Sequence, residues 1–363
     1  MKIDKFHSNF QLNEVSFASV DEILSYASRF SNEIYPFLES WFSADAFITV
    51  KTSGSTGVPK NIKLHKKQMI NSALATGSFF DLKENTTALL CLPTEYIAGK
   101  MMLIRALTLG WHLDMVAPSS YPLRGIKKQY DFSAMVPLQL ENSIKSLNLI
   151  KKLIVGGGVV SSQLQDKIQA SNCSVFATYG MTETITHIAV KRLNSFSSLQ
   201  NNNSNESFQK DFYQTLPNVE IYKDVRNCLV IKAPKVSYEV IFTNDIIHLV
   251  SDDQFEWLGR LDNVINSGGV KLHPEKIEEK LSKIISKRFF VAGISDDKLG
   301  QKLVLMIEQP FASLDEEVAL KLKIKQLKSL TKFEIPKEIY FVASFIDTET
   351  NKIQRAKTLG LLK

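Results

Sequence analysis

Hydrophobic and polar positions alternate with a period of two in Phe47-Ile48-Thr49-Val50-Lys51 and again in Asn61-Ile62-Lys63-Leu64-His65, the pattern of half-buried strands. Between them lies TSGSTGVPK, residues 52–60, so the stretch reads strand, loop, strand. From there strand and helix signals take turns. KKQMINSALATGSFFDL (66–82) predicts a helix, TALLCLP (87–93) a strand, KMMLIRALTLG (100–110) a helix ending at Gly110, and HLDMVAP (112–118) a strand. FSAMVP, a helix near LQLENSIKSLN, the apolar strand LIVGGG, the helix SSQLQDKIQAS and the strand SVFATYG continue the series to Gly180. Continuous apolar strands separated by helices predict an α/β domain on a largely parallel sheet with both faces covered.

Residues 195–209, SFSSLQNNNSNESFQ, are poor in apolar side chains and read as an exposed loop. Short alternating runs split by turn residues from about 218 to 257 predict a compact antiparallel unit. Past GRLDNVINSGG the pattern changes. RFFVAGI, KLVLMIEQP, the helix DEEVALKLKIKQLKSL and EIYFVASF form a lysine-rich α+β module, which divides the chain into a large domain, 1–261, and a small one, 262–363.

Composition narrows the class. A chain of 363 residues exceeds what one core usually supports, and 44% apolar with 23% charged residues describes an ordinary globular protein. The net charge of +6 is spread among acids without a basic run, which disfavours nucleic acid and leaves room for anionic small molecules. Cys91, Cys173 and Cys228 are far apart and odd in number, so neither a disulfide framework nor a CxxC metal site is expected, and a reduced cytoplasm fits. No secretory h-region and no membrane-spanning stretch is evident. Nothing in the pattern decides the oligomeric state, and a homo-oligomer remains compatible with it.

The chemistry-bearing stretches lie between these elements. In residues 52–60, Gly54 and Gly57 let the backbone turn N–H groups inward, Thr52, Ser53, Ser55 and Thr56 add hydroxyls, and Lys60 adds a positive charge. The spacing is not that of a Walker A loop, because Pro59 stands where a glycine would precede the lysine and no helix follows directly. Gly156, Gly157 and Gly158 put bare backbone at the carboxyl end of a buried strand, where open α/β sheets bind ligands. YGMTET (179–184) places an aromatic ring, a hydroxyl and a carboxylate at another strand end, suited to an adenine, a phosphate and Mg²⁺. Asp245 in TND could accept from ribose hydroxyls, with Arg260 in LGRLDN nearby, and Lys352 sits in TNKIQR (350–355). A hairpin turn, a tight strand-to-helix turn and a surface ion pair are the bland alternatives for the loop, the glycines and the Asp–Arg pair.

Together, in this order, these stretches resemble the adenylate-forming enzymes, the superfamily of acyl-CoA synthetases, aryl-CoA ligases and luciferases. TSGSTGVPK is similar to its phosphate loop, YGMTET to its adenine and magnesium motif, TND to its T-G-D, GRLDNVINSGG to its hinge, and TNKIQR to its catalytic-lysine loop. Asn244 and Asn351 stand where the family has glycines. Only about 48 residues precede the phosphate loop, so the resemblance implies the adenylate-forming fold with an N-terminally shortened large domain and a small C-terminal α+β domain.

The resemblance also implies roles. ATP and a carboxylate would give an acyl-adenylate and pyrophosphate, and the thiol of coenzyme A would then displace AMP. Lys352, Thr182 and Glu183 would be catalytic, Glu183 holding Mg²⁺. Thr52, Ser53, Gly54, Ser55, Thr56, Gly57 and Lys60 would hold the phosphates. Gly156, Gly157, Gly158, Tyr179, Gly180, Asp245 and Arg260 would hold adenine and ribose. Asp262 would be the hinge, and Ser267, Gly268 and Gly269 would meet the pantetheine arm. Tyr96 of LPTEYIAG matches a gating position of the acyl pocket. Arg105, in MMLIRALTL, resembles the arginine with which o-succinylbenzoate-CoA ligases of menaquinone synthesis hold their substrate's aromatic carboxylate, and His187 is a further candidate for that pocket. A buried Arg105 would require an anionic partner, whereas a snorkelling one would not. The remaining alternatives are another acyl- or aryl-CoA ligase, an adenylation domain loading a carrier-protein thiol, and an inactive nucleotide-binding regulator.

Overall fold

The computed structural model describes residues 5–30, 33–51, 61–194, 212–348 and 353–362. A sheet of thirteen strands forms the body of the molecule. Six of them run parallel, in the order Gln11–Leu12, His112–Met115, Thr87–Leu90, Tyr130–Met135, Ile150–Val155 and Ser174–Gly180. Their continuous apolar runs have the cause the pattern predicts. Ala88, Leu90, Phe132, Ala134, Ile154 and Phe176 face one core, while the alternate residues Leu89, Met135, Leu153, Val155 and Val175 face a second. The helices Lys66–Phe79 and Ile97–Leu109 cover the first face. Pro137–Ser143 and Ser162–Lys167 supply Leu140 and Leu164 to the second. Gly110 ends its helix at φ 71°, the left-handed cap that favours glycine there.

The antiparallel unit is present but is not separate. His187–Arg192 pairs antiparallel with Ser174–Gly180, and through Tyr213–Thr215 the sheet continues into Gln254–Arg260, Ile241–Leu249, Cys228–Lys232 and Glu220–Lys223. The turn at 181–186 brings the chain straight back, so the open edge of the last parallel strand is paired at once. One sheet therefore changes from parallel to antiparallel at Gly180.

Phe47–Lys51 and Asn61–His65 form a two-stranded hairpin off the main sheet, in the register Phe47↔His65 to Lys51↔Asn61. A second sheet of five strands holds Ile265–Ser267, Val270–Leu272, Phe289–Asp296, Gly300–Glu308 and Glu338–Val342, with its own core under the helices Pro274–Leu281 and Leu314–Gln326. The main sheet ends at Arg260 and this one begins at Ile265. Helix Pro274–Leu281 bridges the two bodies: Lys276 pairs with Glu256 at 2.6 Å, and Gln163 Nε2 donates to the Ser282 carbonyl at 2.9 Å. Among the described residues no helix is long and apolar enough to cross a membrane.

Candidate active site

The carboxyl ends of the last two parallel strands meet the amino end of the first antiparallel strand where the sheet changes sense. Gly156, Gly157 and Gly158 leave strand Ile150–Val155 at that edge. A Cβ on Gly156 would lie 2.6 Å from Thr178 Oγ1, and one on Gly180 would lie 2.2 Å from the Thr186 carbonyl, so neither position takes a side chain without a shift. Thr182 and Glu183 sit in the short 3₁₀ turn Thr182–Thr184. The Thr184 hydroxyl ties this turn, donating to the Met181 or Thr186 carbonyl at 2.9 and 2.8 Å and accepting from the Met181 N–H at 3.1 Å. Ile185 follows at φ 67°, a conformation costing a β-branched residue about 1–3 kcal/mol. The Glu183 side chain is exposed, with no hydrogen bond or ion pair to a described residue.

Four of the sequence-predicted residues converge beside this turn. Asp245, 7% exposed, accepts from the Tyr179 hydroxyl at 2.6 Å on one oxygen and from Trp257 Nε1 at 3.1 Å on the other. Arg260 lies opposite Asp245 in strand register, with its guanidinium 3.7 Å from the carboxylate, and it also donates to Asp262 at 3.0 Å. Burial, with the Asp245 charge added, pushes the Tyr179 hydroxyl well above its ordinary pKa, so it stays protonated and donates. Asn244 donates to Asp262 at 3.3 Å and accepts from Arg226 at 3.0 Å. Asp262 itself lies in the 3₁₀ turn Leu261–Asn263 between the two sheets.

A second cluster lies under helix Ile97–Leu109. Arg105 is 1% exposed and has no carboxylate partner among the described residues. Its Nε donates to Thr76 Oγ1 at 3.3 Å, its Nη1 meets only the Met102 sulfur at 3.7 Å, and its Nη2 is buried without a hydrogen bond. Burial lowers its pKa to about 9. His187 lies on the other side of Thr76, with Nε2 3.4 Å from the same hydroxyl. Burial first, and then the Arg105 charge, hold its pKa well below the ordinary histidine value, so the ring is neutral. A pocket of about 290 Å³ opens beside His187, bordered by Ser72, Ala75, Ile188, Leu216 and Val236.

Other predicted residues stand apart. Tyr96 is 43% exposed at the start of the helix that carries Arg105, nine residues or about 13 Å of helix rise away. Ser267 closes a hairpin with Val270, and Gly268 and Gly269 are its two turn residues at φ 58° and 82°, the left-handed pair that a type I′ turn demands. That turn accounts for the glycine pair by itself. Residues 52–60 and Lys352 lie outside the described residues. Just beyond Lys352, Arg355 clamps Glu278 through two hydrogen bonds of 2.7 and 2.8 Å. Trp257 and Thr76 hold predicted residues in place without belonging to any of the chemistry-bearing stretches, whereas Thr184, which ties the turn, is the last residue of YGMTET.

A mixed sheet that turns antiparallel at a glycine-lined strand end, with a separate small α+β sheet attached through a short turn, is the adenylate-forming fold. A Bacillus subtilis o-succinylbenzoate coenzyme A synthetase (MenE), solved with ATP and magnesium ion, superposes with a TM-score of 0.69 at 18% identity, covering 94% of this chain and 82% of that one. An acyl-CoA synthetase (AMP-forming)/AMP-acid ligase II-like protein from Dyadobacter fermentans is 34% identical with a TM-score of 0.60, covering 94% of this chain and 98% of the other. The family model described as AMP-binding enzyme matches residues 39–222, just over half of the chain, and the protein belongs to that family. It is an enzyme of the acid–thiol ligase class. Curated relatives include 2-succinylbenzoate–CoA ligases of Bacillus cereus, 24% identical over 350 residues with 90% of this chain and 72% of the relative covered, and of a Geobacillus species, 25% identical over 377 residues with 93% and 74% covered.

Proposed function

We propose that the protein activates 2-succinylbenzoate with ATP and transfers the acyl group to coenzyme A. The observation that carries the substrate class is Arg105. A guanidinium removed from water with no anion beside it among the described residues is costly, and a carboxylate brought by the substrate would supply that partner. 2-Succinylbenzoate has two carboxylates, one to react and one to be held. The relatives that act on this acid by name favour the same choice.

In the first step an oxygen of the succinyl carboxylate attacks the α-phosphorus of ATP, and the bond to pyrophosphate breaks. Both reactants are anions, so cationic groups must meet the charge that builds on the phosphoryl oxygens. Lys352 and Lys60, with the hydroxyls and N–H groups of residues 52–57, would supply them, and Thr182 would donate to a phosphate oxygen. Glu183 suits a magnesium ion, because one unengaged, exposed carboxylate is what an ion shared with substrate phosphates requires. The ion, when bound, neutralises phosphate charge. Gly156, Gly157, Gly158, Tyr179 and Gly180 would border the adenine, and Asp245 and Arg260 would face the ribose. In the second step the thiolate of coenzyme A attacks the acyl carbon and AMP leaves, after rotation about Asp262 brings the turn at Ser267, Gly268 and Gly269 toward the pantetheine arm.

The test is pyrophosphate release across aromatic, fatty and amino acids. Turnover of 2-succinylbenzoate at the highest kcat/KM is expected; an inert 2-succinylbenzoate with benzoate or a fatty acid turned over would replace the substrate.

A further inference from the structure

We propose that Thr76 is the positioning residue of the acid pocket, its single hydroxyl setting both the orientation of Arg105 and the tautomer of His187. The proposal rests on the reading of Arg105 as the substrate's carboxylate anchor. A hydroxyl has one hydrogen to give and two lone pairs to receive. Thr76 Oγ1 lies 3.0 Å from the Ser72 carbonyl, which can only accept, so the hydrogen goes there. Arg105 Nε at 3.3 Å can only donate, which occupies one lone pair. The remaining lone pair faces His187 Nε2 at 3.4 Å, so that nitrogen must carry the ring's proton. His187 Nδ1, 3.5 Å from Thr186 Oγ1, is left as the acceptor.

The consequence for Arg105 is directional. With Nε held by Thr76 and Nη1 against the Met102 sulfur, the guanidinium plane is fixed and Nη2 is the donor left over for an incoming anion. Thr76 and Arg105 are both buried, on the facing helices Lys66–Phe79 and Ile97–Leu109, so solvent does not replace a lost partner. Ser72 and His187, two of the partners of Thr76, also border the pocket of about 290 Å³.

The experiment compares wild type, Thr76→Val and Thr76→Ser. Valine keeps the shape and removes the acceptor; serine keeps the acceptor. In ¹⁵N-histidine-labelled protein, long-range ¹H–¹⁵N correlation should show His187 neutral with the proton on Nε2 in wild type and Thr76→Ser, and should show that preference lost in Thr76→Val. The KM for 2-succinylbenzoate should rise about tenfold or more in Thr76→Val, the KM for ATP should move less than about twofold, and serine should restore the acid KM. A wild-type His187 protonated on Nδ1, or an unchanged acid KM in Thr76→Val, overturns the proposal. If Thr76→Val does not fold, the wild-type and serine spectra decide. The spectra need no substrate, so failure of 2-succinylbenzoate as a substrate would refute the functional reading and leave the tautomer result to judge Thr76 separately.

Discussion

Asp245 and Arg105 are both buried charges, and they are treated oppositely. The carboxylate of Asp245 is met by a phenol, an indole N–H and a guanidinium. The guanidinium of Arg105 is met by one hydroxyl and a thioether. A charge whose partners are all protein groups holds the fold together at the point where the sheet changes sense. A charge buried with a donor left over lowers stability until something else arrives, and that is the behaviour of a recognition group.

The two charges differ most in the sign of the stability change when each is removed. Asp245→Ala strands the Tyr179 hydroxyl and Trp257 Nε1 and should lower unfolding free energy by about 3 kcal/mol in urea melts. Arg105→Met, of similar length and apolar, should raise it by about 1–3 kcal/mol without ligand, because it removes an uncompensated buried charge. Equal losses in both variants would erase the distinction.

Glu278 offers an intermediate case, a half-buried carboxylate with a good partner. Burial raises its pKa from 4.5 to about 7 against the opposing pull of Arg355. The folded state therefore holds this proton over a range in which the unfolded chain has lost it, and stability should fall between about pH 4.5 and pH 7 with a slope of up to about 1.4 kcal/mol per unit, flattening above. Melting temperatures of wild type and Glu278→Gln across that window check it, since the variant should lack this part of the slope. The smallest effect belongs to the exposed network at the inter-sheet turn. Asn244→Ala removes amide contacts of 3.0–3.4 Å among partly exposed groups and should change stability by less than about 0.5 kcal/mol.

Much of the fold was legible because its causes are local. Doubly covered strands read as apolar runs, the hairpin around residues 52–60 as two alternating strands, and Gly110 as a helix stop. The joining of the antiparallel strands to the parallel sheet was not, because Tyr213–Thr215 is three residues long and its pairing partners, Ala189 and Val190 on one side and Gln254 and Phe255 on the other, are distant in sequence. The helices Val20–Phe30 and Tyr35–Phe42 carry a periodicity that was there to be read, with Phe37, Leu38, Trp41 and Phe42 buried on the second. Among the candidate residues, Tyr179, Asp245 and Arg260 stand out by their motifs, and the fold brings the three together. Supporting residues do not stand out: Thr76 is one threonine on an amphipathic helix, and only the packing of that helix on its neighbour brings its hydroxyl to Arg105.

Arg105 is the group proposed to read the second carboxylate of 2-succinylbenzoate. The direct measurement compares kcat/KM for adenylation of 2-succinylbenzoate with that for 3-benzoylpropionate, which keeps the reacting carboxylate and lacks the one on the ring, in wild type and Arg105→Met. Wild type should prefer 2-succinylbenzoate by about a hundredfold or more and Arg105→Met should lose most of that preference by weakening only the dicarboxylate. A preference that survives intact in Arg105→Met would contradict the assignment.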